Sequence, residues 1–190
     1  MAVNTIARDV SELSRGFPEK LVIIDCETTG GNSTRHRVIE IGLLIIDQGV
    51  ITKTWQSLIN PHVALPSNIS SLTGITPNML QDAPKFEDIA EKLMGYLTDR
   101  IFVAHNARFD YSFIKNEYSR IGTRFVSKSM CSVRFSRMLY PQFARHGLSE
   151  IIKRFRLSIA KRHRALDDAR VIYDFFLKSS ALLEDSDISA

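Results

Sequence analysis

The sequence predicts an α/β fold in which a mixed central β-sheet is flanked by α-helices. Two strand candidates, residues 37–47 and 50–60, are joined by Gln48 and Gly49, which suit a tight hairpin turn. Further along the chain, helical apolar spacing alternates with short apolar runs, as in helices that cover a sheet. A length of 190 residues is enough for one domain with a sizeable core.

The predicted elements follow one another without an interior linker. Residues 1–19 are a short lead-in ended by Pro18, residues 21–25 are a strongly apolar strand, and residues 61–77 have the composition of a loop. The other predicted elements are helices at residues 86–97, 108–121, 132–139, 148–156 and 166–177 and strands at residues 101–105 and 124–129. We predict one domain over residues 20–178 and a flexible acidic tail over residues 179–190.

Composition restricts the kind of protein. The apolar share of 44% and the charged share of 24% are ordinary for a globular protein, and no apolar run is long enough for a transmembrane helix. The N-terminal segment lacks the pattern of a secretory signal, and two cysteines are too few for a disulfide framework, so we expect a cytoplasmic protein. A net charge of +4 and a pI near 9.2 favour a polyanionic partner.

Two acids close the first apolar strand. Because side chains alternate across a strand, Asp25 and Glu27 share a face with Leu21 and Ile23, and they emerge together at the carboxyl end. In α/β sheets that end is where ligands tend to bind. The alternative is a solvated loop after the strand, and the TTG that follows suits both.

Further acids open two of the predicted helices. Asp110 begins an apolar stripe, which places it on the core-facing side, although an acid at a helix start can instead satisfy free backbone amides. Asp168 begins a second such stripe, whereas its neighbour Asp167 falls on the wet face. His163 lies in the turn before that helix, and a loop histidine of this kind is often structural.

Together, these segments predict one acidic pocket where a strand end meets two helix starts. Buried carboxylates need cations beside them, because an unpaired buried charge costs several kcal/mol or more. Asp and Glu without Cys or clustered His favour Mg²⁺ or Mn²⁺ over zinc. No nucleophile-elbow pattern and no glycine-rich phosphate loop is present in the sequence.

The same residues resemble the DEDDh, or DnaQ-like, exonucleases, the family that includes the proofreading epsilon subunit of bacterial DNA polymerase III. The three motifs of that family match DCETTG from Asp25, HNARFD ending at Asp110, and HRALDD from His163 to Asp168. RVIEIG and LTGIT are similar to further segments of the family, and the similarity runs over residues 21–177. The resemblance implies a ribonuclease-H-like fold.

The resemblance also implies 3′→5′ exonuclease chemistry with two metal ions, Mg²⁺ or Mn²⁺. Asp25, Glu27 and Asp168 would hold the ion that binds the attacking water, Asp25 would bridge to the second ion, and Asp110 would lie nearby. Two cations about 3.5–4 Å apart offset the charge on the attacking and leaving oxygens of a phosphodiester. His163 would remove a proton from the water.

Substrate contacts are expected by the same analogy. Leu72 would wedge between terminal bases, and a core position in its loop is the equal alternative. Residues 145–164 are rich in Lys and Arg and would track a phosphate backbone, or else form a plain solvated face. The residues expected to bind substrate are Thr28, Thr29, Leu72, Thr73, Asn106 and Phe109.

The function that these expectations favour is a metal-dependent 3′→5′ exodeoxyribonuclease in proofreading or repair. It would release nucleoside monophosphates from single-stranded or frayed DNA 3′ ends. Two alternatives stay open, namely an exoribonuclease that acts on RNA 3′ ends and a catalytically idle nucleic-acid-binding module. The expected partners are single-stranded nucleic acid, DNA before RNA, and a DNA polymerase or repair protein, with no membrane.

Overall fold

A computed structural model describes residues 17–187, with side chains described up to residue 180. The strands are β1 (Lys20–Thr28), β2 (Val38–Asp47), β3 (Val50–Leu58), β4 (Ile101–Ala104) and β5 (Ser129–Cys131). The helices are α1 (Ser67–Thr73), α2 (Pro77–Gln81), α3 (Phe86–Leu97), α4 (Arg108–Arg120), α5 (Ser132–Leu139), α6 (Leu148–Phe155) and α7 (Ala165–Asp187).

The strands form one five-stranded sheet in the order β3-β2-β1-β4-β5. The pairs β1–β2 and β2–β3 are antiparallel, whereas β1–β4 and β4–β5 are parallel. The predicted mixed sheet is therefore confirmed. The parallel strands β1, β4 and β5 all end at one edge of the sheet, and this shared edge determines where the site lies.

Strand β1 lies at the centre and is covered on both faces. Val22 and Ile24 belong to a core shared with α3 and α4, while Leu21 and Ile23 belong to a second core shared with α6 and α7. These four side chains are fully buried. The alternation predicted for this strand is confirmed, and the acids that follow it emerge between two helical layers.

The hairpin between β2 and β3 turns as predicted. Gln48 and Gly49 have φ angles of 51° and 84°. Positive φ at both central residues is the geometry of the turn that best matches the twist of paired strands.

The structure corrects two predicted segments. The predicted loop at residues 61–77 contains helix α1 and the first residue of α2. Thr76 caps α2, since its side chain accepts a hydrogen bond from the Met79 backbone N–H at 3.3 Å. The strand predicted at residues 124–129 lies instead at Ser129–Cys131, where it can pair with β4.

Helix α7 occupies most of the segment that the sequence predicts as a flexible acidic tail, since it continues to Asp187. Ser179 and Ser180 are buried, and the Tyr140 hydroxyl donates a hydrogen bond to Ser179 Oγ at 3.2 Å. The start of the segment is therefore covered by the rest of the protein, and residues 188–190 lie outside the described part. Across residues 17–187, no helix is both long and apolar enough to cross a bilayer.

Candidate active site

A cavity of about 1150 Å³ opens at the carboxyl edge of the parallel strands. Asp25 and Glu27 reach it from β1, His105 and Asn106 from the end of β4, and Cys131 from β5. Clefts outside the carboxyl ends of strands are the usual ligand sites of α/β sheets. The predicted catalytic set lines this cavity: Asp25, Glu27, Asp110, His163 and Asp168.

The closest cluster in the cavity joins β1 to the start of α7. Glu27, His163 and Asp168 each present a possible ligand atom, and these atoms lie within 4.8 Å of one another. Asp168 is only 4% exposed, while Asp167 is half-buried and does not line the cavity. The helical period therefore separated the two adjacent acids correctly.

Asp110 reaches the cavity from the opposite helical layer. It is 2% exposed, and its Oδ1 accepts a hydrogen bond from the Cys26 backbone N–H at 3.1 Å. Because Cys26 lies between Asp25 and Glu27, this bond ties the start of α4 to the strand segment that carries both acids. Asp110 thus acts neither as a solvated residue nor only as a helix cap.

The turn that presents His163 is fixed on both sides. His163 adopts a left-handed φ of 58°, and its backbone N–H donates to Asp168 Oδ2 at 3.3 Å. The next residue, Arg164, donates from Nη2 to Glu40 Oε1 at 2.6 Å, and Ala165 N–H donates to Glu40 Oε2 at 2.9 Å. Glu40 is 2% exposed, so this ion pair is a buried anchor for the turn.

Strand β2 touches the same turn through a glycine. A Cβ on Gly42 would lie 2.1 Å from the Leu166 nitrogen and 2.4 Å from the Ala165 carbonyl carbon. Gly42 pairs with Asp25 in the sheet. The missing side chain therefore lets the start of α7 approach the strand that carries the first acid.

Burial and mutual repulsion perturb the acids. Burial, followed by the charges of Asp110 and Asp168, raises the pKa of Asp25 well above its ordinary value. Burial, reinforced by Asp168, raises the pKa of Glu27 to about 7, and burial raises the pKa of Asp110 to about 8. The protein alone therefore disfavours full ionisation of this cluster, which an added cation would favour.

One protein cation already reaches the acids. The Arg162 guanidinium contacts Asp168 Oδ1 and opposes the effect of burial, which nevertheless raises the pKa of Asp168 overall. The donor set of carboxylate oxygens fits a hard divalent ion such as Mg²⁺ or Mn²⁺. Within residues 17–180, Arg162 is the cation that forms a salt bridge with one of the four acids, which leaves negative charge for such ions to neutralise.

The predicted substrate contacts divide into two groups. Asn106 and Phe109 line the cavity. The hydroxyls of Thr28 and Thr29 are engaged in the turn after β1, where the former donates to Gly30 O at 2.9 Å and the latter accepts from Arg37 N–H at 3.0 Å.

The α1 residues do not line the cavity. Leu72 is 51% exposed, so the alternative that placed it in the core is wrong. Thr73 is fully buried, and its hydroxyl donates to Ile69 O and accepts from Ile75 N–H, both at 3.0 Å. The side chain of Thr73 thus holds the end of α1 together, and its contact with substrate stays a prediction.

The basic segment predicted to track phosphate is mostly directed elsewhere. Arg154 stacks 3.7 Å from the Phe143 ring centre and donates to Arg145 O at 2.8 Å. Arg164 is bound to Glu40, and among the basic residues of 145–164 only Arg162 and two histidines line the cavity. The cavity cations that sequence reasoning missed are Arg108, Lys115, Arg134 and Arg137.

His105 also lines the cavity, although the sequence predicted no role for it. Its Nδ1 lies 2.8 Å from Ser132 Oγ, which links the end of β4 to the start of α5. Burial, aided by the charge of Arg162, lowers the pKa of His105 to about 4. The ring is therefore neutral at neutral pH and adds no charge to the cavity.

Comparison with protein families decides what kind of chain this is. The family model described as exonuclease matches residues 22–176. The chain belongs to this exonuclease family. Membership makes the protein a 3′→5′ exonuclease, a hydrolase of phosphodiesters, and confirms the resemblance to the DEDDh enzymes.

Sequence relatives are much longer proteins. The chain is 32% identical over 171 residues to the DNA polymerase III PolC-type of Caldanaerobacter subterraneus. The matched region covers 90% of this chain and 12% of the relative. It is 34% identical over 162 residues to that of Bacillus subtilis, with 84% and 11% covered. The chain therefore spans about an eighth of the length of these relatives.

Solved structures share the fold. Exonuclease X in complex with 5′ overhanging duplex DNA superposes with a TM-score of 0.70 at 23% identity, covering 85% of this chain and 92% of that chain. The nuclease domain of 3′hExo, a DEDDh family member bound to rAMP, gives 0.71 at 20% identity, with 90% and 95% covered. This likeness confirms the predicted ribonuclease-H-like fold.

Proposed function

We propose that this exonuclease degrades DNA from the 3′ end and releases nucleoside monophosphates from single-stranded or frayed termini, in proofreading or repair. The observation that carries the proposal is the convergence of Glu27, His163 and Asp168 within 4.8 Å, in one cavity with Asp25 and Asp110. The DNA substrate is supported by the relatives, which are bacterial DNA polymerases. A cytoplasmic location and a polymerase or repair partner are proposed with it.

Two divalent ions, Mg²⁺ or Mn²⁺, complete the proposed site. Asp25, Glu27 and Asp168 would hold one ion, with Asp25 shared and Asp110 beside the second. When bound, the ions supply positive charge to the attacking and leaving oxygens and acidify a water. All four donors are hard carboxylate ligands that line one cavity, and a cation there would favour their ionised forms against their raised pKa values.

The residues of the chain perform the remaining tasks. The His163 imidazole has a ring nitrogen within 4.8 Å of the Glu27 and Asp168 carboxylates, and it would take the proton of the attacking water. Asn106 and Phe109 line the space for the terminal nucleotide, and the hydroxyls of Thr28 and Thr29 keep the turn after β1 in shape. Leu72, exposed on α1, is proposed to contact a terminal base.

A digestion experiment tests the proposal. Oligonucleotides of DNA and RNA, labelled at either the 3′ or the 5′ end, are incubated with the protein and Mn²⁺ or EDTA. Progressive shortening of 5′-labelled DNA, stopped by EDTA, is the expected result. Faster shortening of RNA would replace the DNA assignment, and binding without shortening would refute the enzyme.

Two adjacent acids supply a matched control for that experiment. Asp168→Ala removes a proposed metal ligand, whereas Asp167→Ala removes the neighbouring acid outside the cavity. We expect shortening to disappear in the first variant and to persist in the second. Equal loss in both variants would show that the effect comes from a general disturbance of α7.

A further inference from the structure

Four basic residues line the cavity together with its acids. Arg108 and Lys115 on α4, with Arg134 and Arg137 on α5, all line the cavity and are all exposed. We call these four residues the basic wall. They stand on the two helices that follow the neighbouring parallel strands β4 and β5, and so converge from separate parts of the sequence.

The spacing within each helix keeps each pair on one side. Arg134 and Arg137 are three residues apart, which makes them neighbours on a helix surface. Arg108 and Lys115 are seven residues apart, which is about two turns and about 10 Å along the helix axis. The wall therefore offers positive charge at several separate points along the cavity.

Within the described residues, no acid pairs with the basic wall. Across residues 17–180, none of its members forms an ion pair or a side-chain hydrogen bond, whereas Arg37, Arg100 and Arg164 each hold a buried or half-buried acid. The catalytic acids also stay beyond salt-bridge distance of the wall. The charges of the wall are therefore free to meet an anion from outside the protein.

We propose that the basic wall binds the phosphates of the substrate strand that lie upstream of the bond being cut. The inference rests on the proposed exonuclease function and adds the path of the polynucleotide to it. An enzyme that removes the 3′-terminal nucleotide has the rest of the strand on one side of its site only. Cations that line the same cavity and pair with no acid of the described residues are suited to that part of a polyanion.

The wall replaces the surface that the sequence predicted for this role. Lys153 of α6 is exposed, but it does not line the cavity, and the side chains of Arg154 and Arg164 are engaged with other groups. The basic wall and the basic face of residues 145–164 are thus two alternative binding surfaces for the upstream phosphates. Charge reversal at each surface distinguishes them.

The test compares two double variants of equal charge. Arg134→Glu with Arg137→Glu reverses half of the wall, and Arg124→Glu with Lys153→Glu reverses two exposed cations outside the cavity. Binding of a fluorescent single-stranded 20-mer is measured in Ca²⁺ at several salt concentrations. Turnover is measured in Mn²⁺ on the same oligonucleotide and on the p-nitrophenyl ester of thymidine 5′-monophosphate.

We expect the wall variant to raise the oligonucleotide Kd and KM at least tenfold more than the KM of the small ester, which has no upstream phosphate. A plot of the logarithm of the oligonucleotide association constant against the logarithm of the salt concentration should become shallower by about 1.4, because two contacts to a single strand are lost. Unchanged oligonucleotide binding, or an equal loss in the control variant, would overturn the proposal. If wild-type protein hydrolyses neither substrate, the proposed function fails, while the binding measurement still decides whether the wall holds a strand.

Discussion

Adding one methyl group to strand β2 should disable the site without touching a catalytic residue. In Gly42→Ala, the new Cβ would lie 2.1 Å from the Leu166 nitrogen, whereas ordinary contact begins near 3.4 Å. The start of α7 must then retreat by about 1.3 Å, the difference between these two distances. The obstructing atoms are backbone, so no side-chain rotation can relieve the contact.

That displacement has a calculable consequence. Overpacking of this kind costs about 1–3 kcal/mol, which corresponds to a fall in Tm of roughly 2–12 °C for a chain of this size. Asp168 and His163 move with the start of α7, and a misplacement of about 1 Å costs about 10²-fold in rate. We therefore expect a hundredfold fall in kcat in a protein that is still folded at 25 °C.

The assay uses a glycine in open space as its control. Gly95 lies in α3, and a Cβ there meets nothing within 4 Å, so Gly95→Ala should keep wild-type kcat and gain up to about 1 kcal/mol from helix propensity. Oligonucleotide digestion, circular dichroism and thermal melting are compared for the two variants. Wild-type kcat and Tm in Gly42→Ala would refute the close approach of β2 and α7.

Three further outcomes follow from the same geometry. His163→Gln should lower kcat about 10²–10⁴-fold while Mn²⁺ binding by calorimetry persists, and loss of that binding would refute its role as a base. Asp25→Ala or Asp168→Ala should abolish both Mn²⁺ binding and cleavage, and near-normal turnover would count against either ligand. Burial raises the pKa of Glu27 to about 7 and that of Asp110 to about 8, so in EDTA the folded state binds more protons than the unfolded chain. Tm should therefore fall as the pH rises from 5 to 8, and Mg²⁺ should restore it. A Tm that does not fall over this pH range would contradict the raised pKa values of these buried acids.

The spacing of apolar residues predicted burial correctly where a side chain's position on its own strand or helix decides whether it is buried. The period of two placed Leu21 and Ile23 on one face of β1 and Val22 and Ile24 on the other, as observed. The helical period placed Asp110 and Asp168 inside. These assignments depend only on which face of a strand or helix is covered, which the local pattern records.

Short helices and tertiary cover escaped the sequence reasoning. Helices α1 and α2 have seven and five residues, too few for a period to show. The usable signals were Pro77 at the start of α2 and Thr76 before it, which suit a helix N-terminus. Helix α7 extends past Lys178, and its Ser179 and Ser180 are buried by distant parts of the chain, which composition cannot reveal.

The charged surroundings of the site were the least predictable part. Arg108 and Arg134 belong to helices whose sequences each carry ordinary exposed cations, and only the parallel pairing of β4 with β5 brings them to one cavity. The contact of Arg164 with Glu40 spans 124 positions in the chain. Such pairings arise from topology, so no local pattern announces them.

We propose that carboxylates from β1, α4 and α7 surround catalytic metal ions. Anomalous diffraction from crystals soaked in Mn²⁺ would locate these ions. We expect two peaks bounded by Asp25, Glu27 and Asp168, one of them beside Asp110. An active enzyme whose Mn²⁺-soaked crystals show no peak at these carboxylates would contradict it.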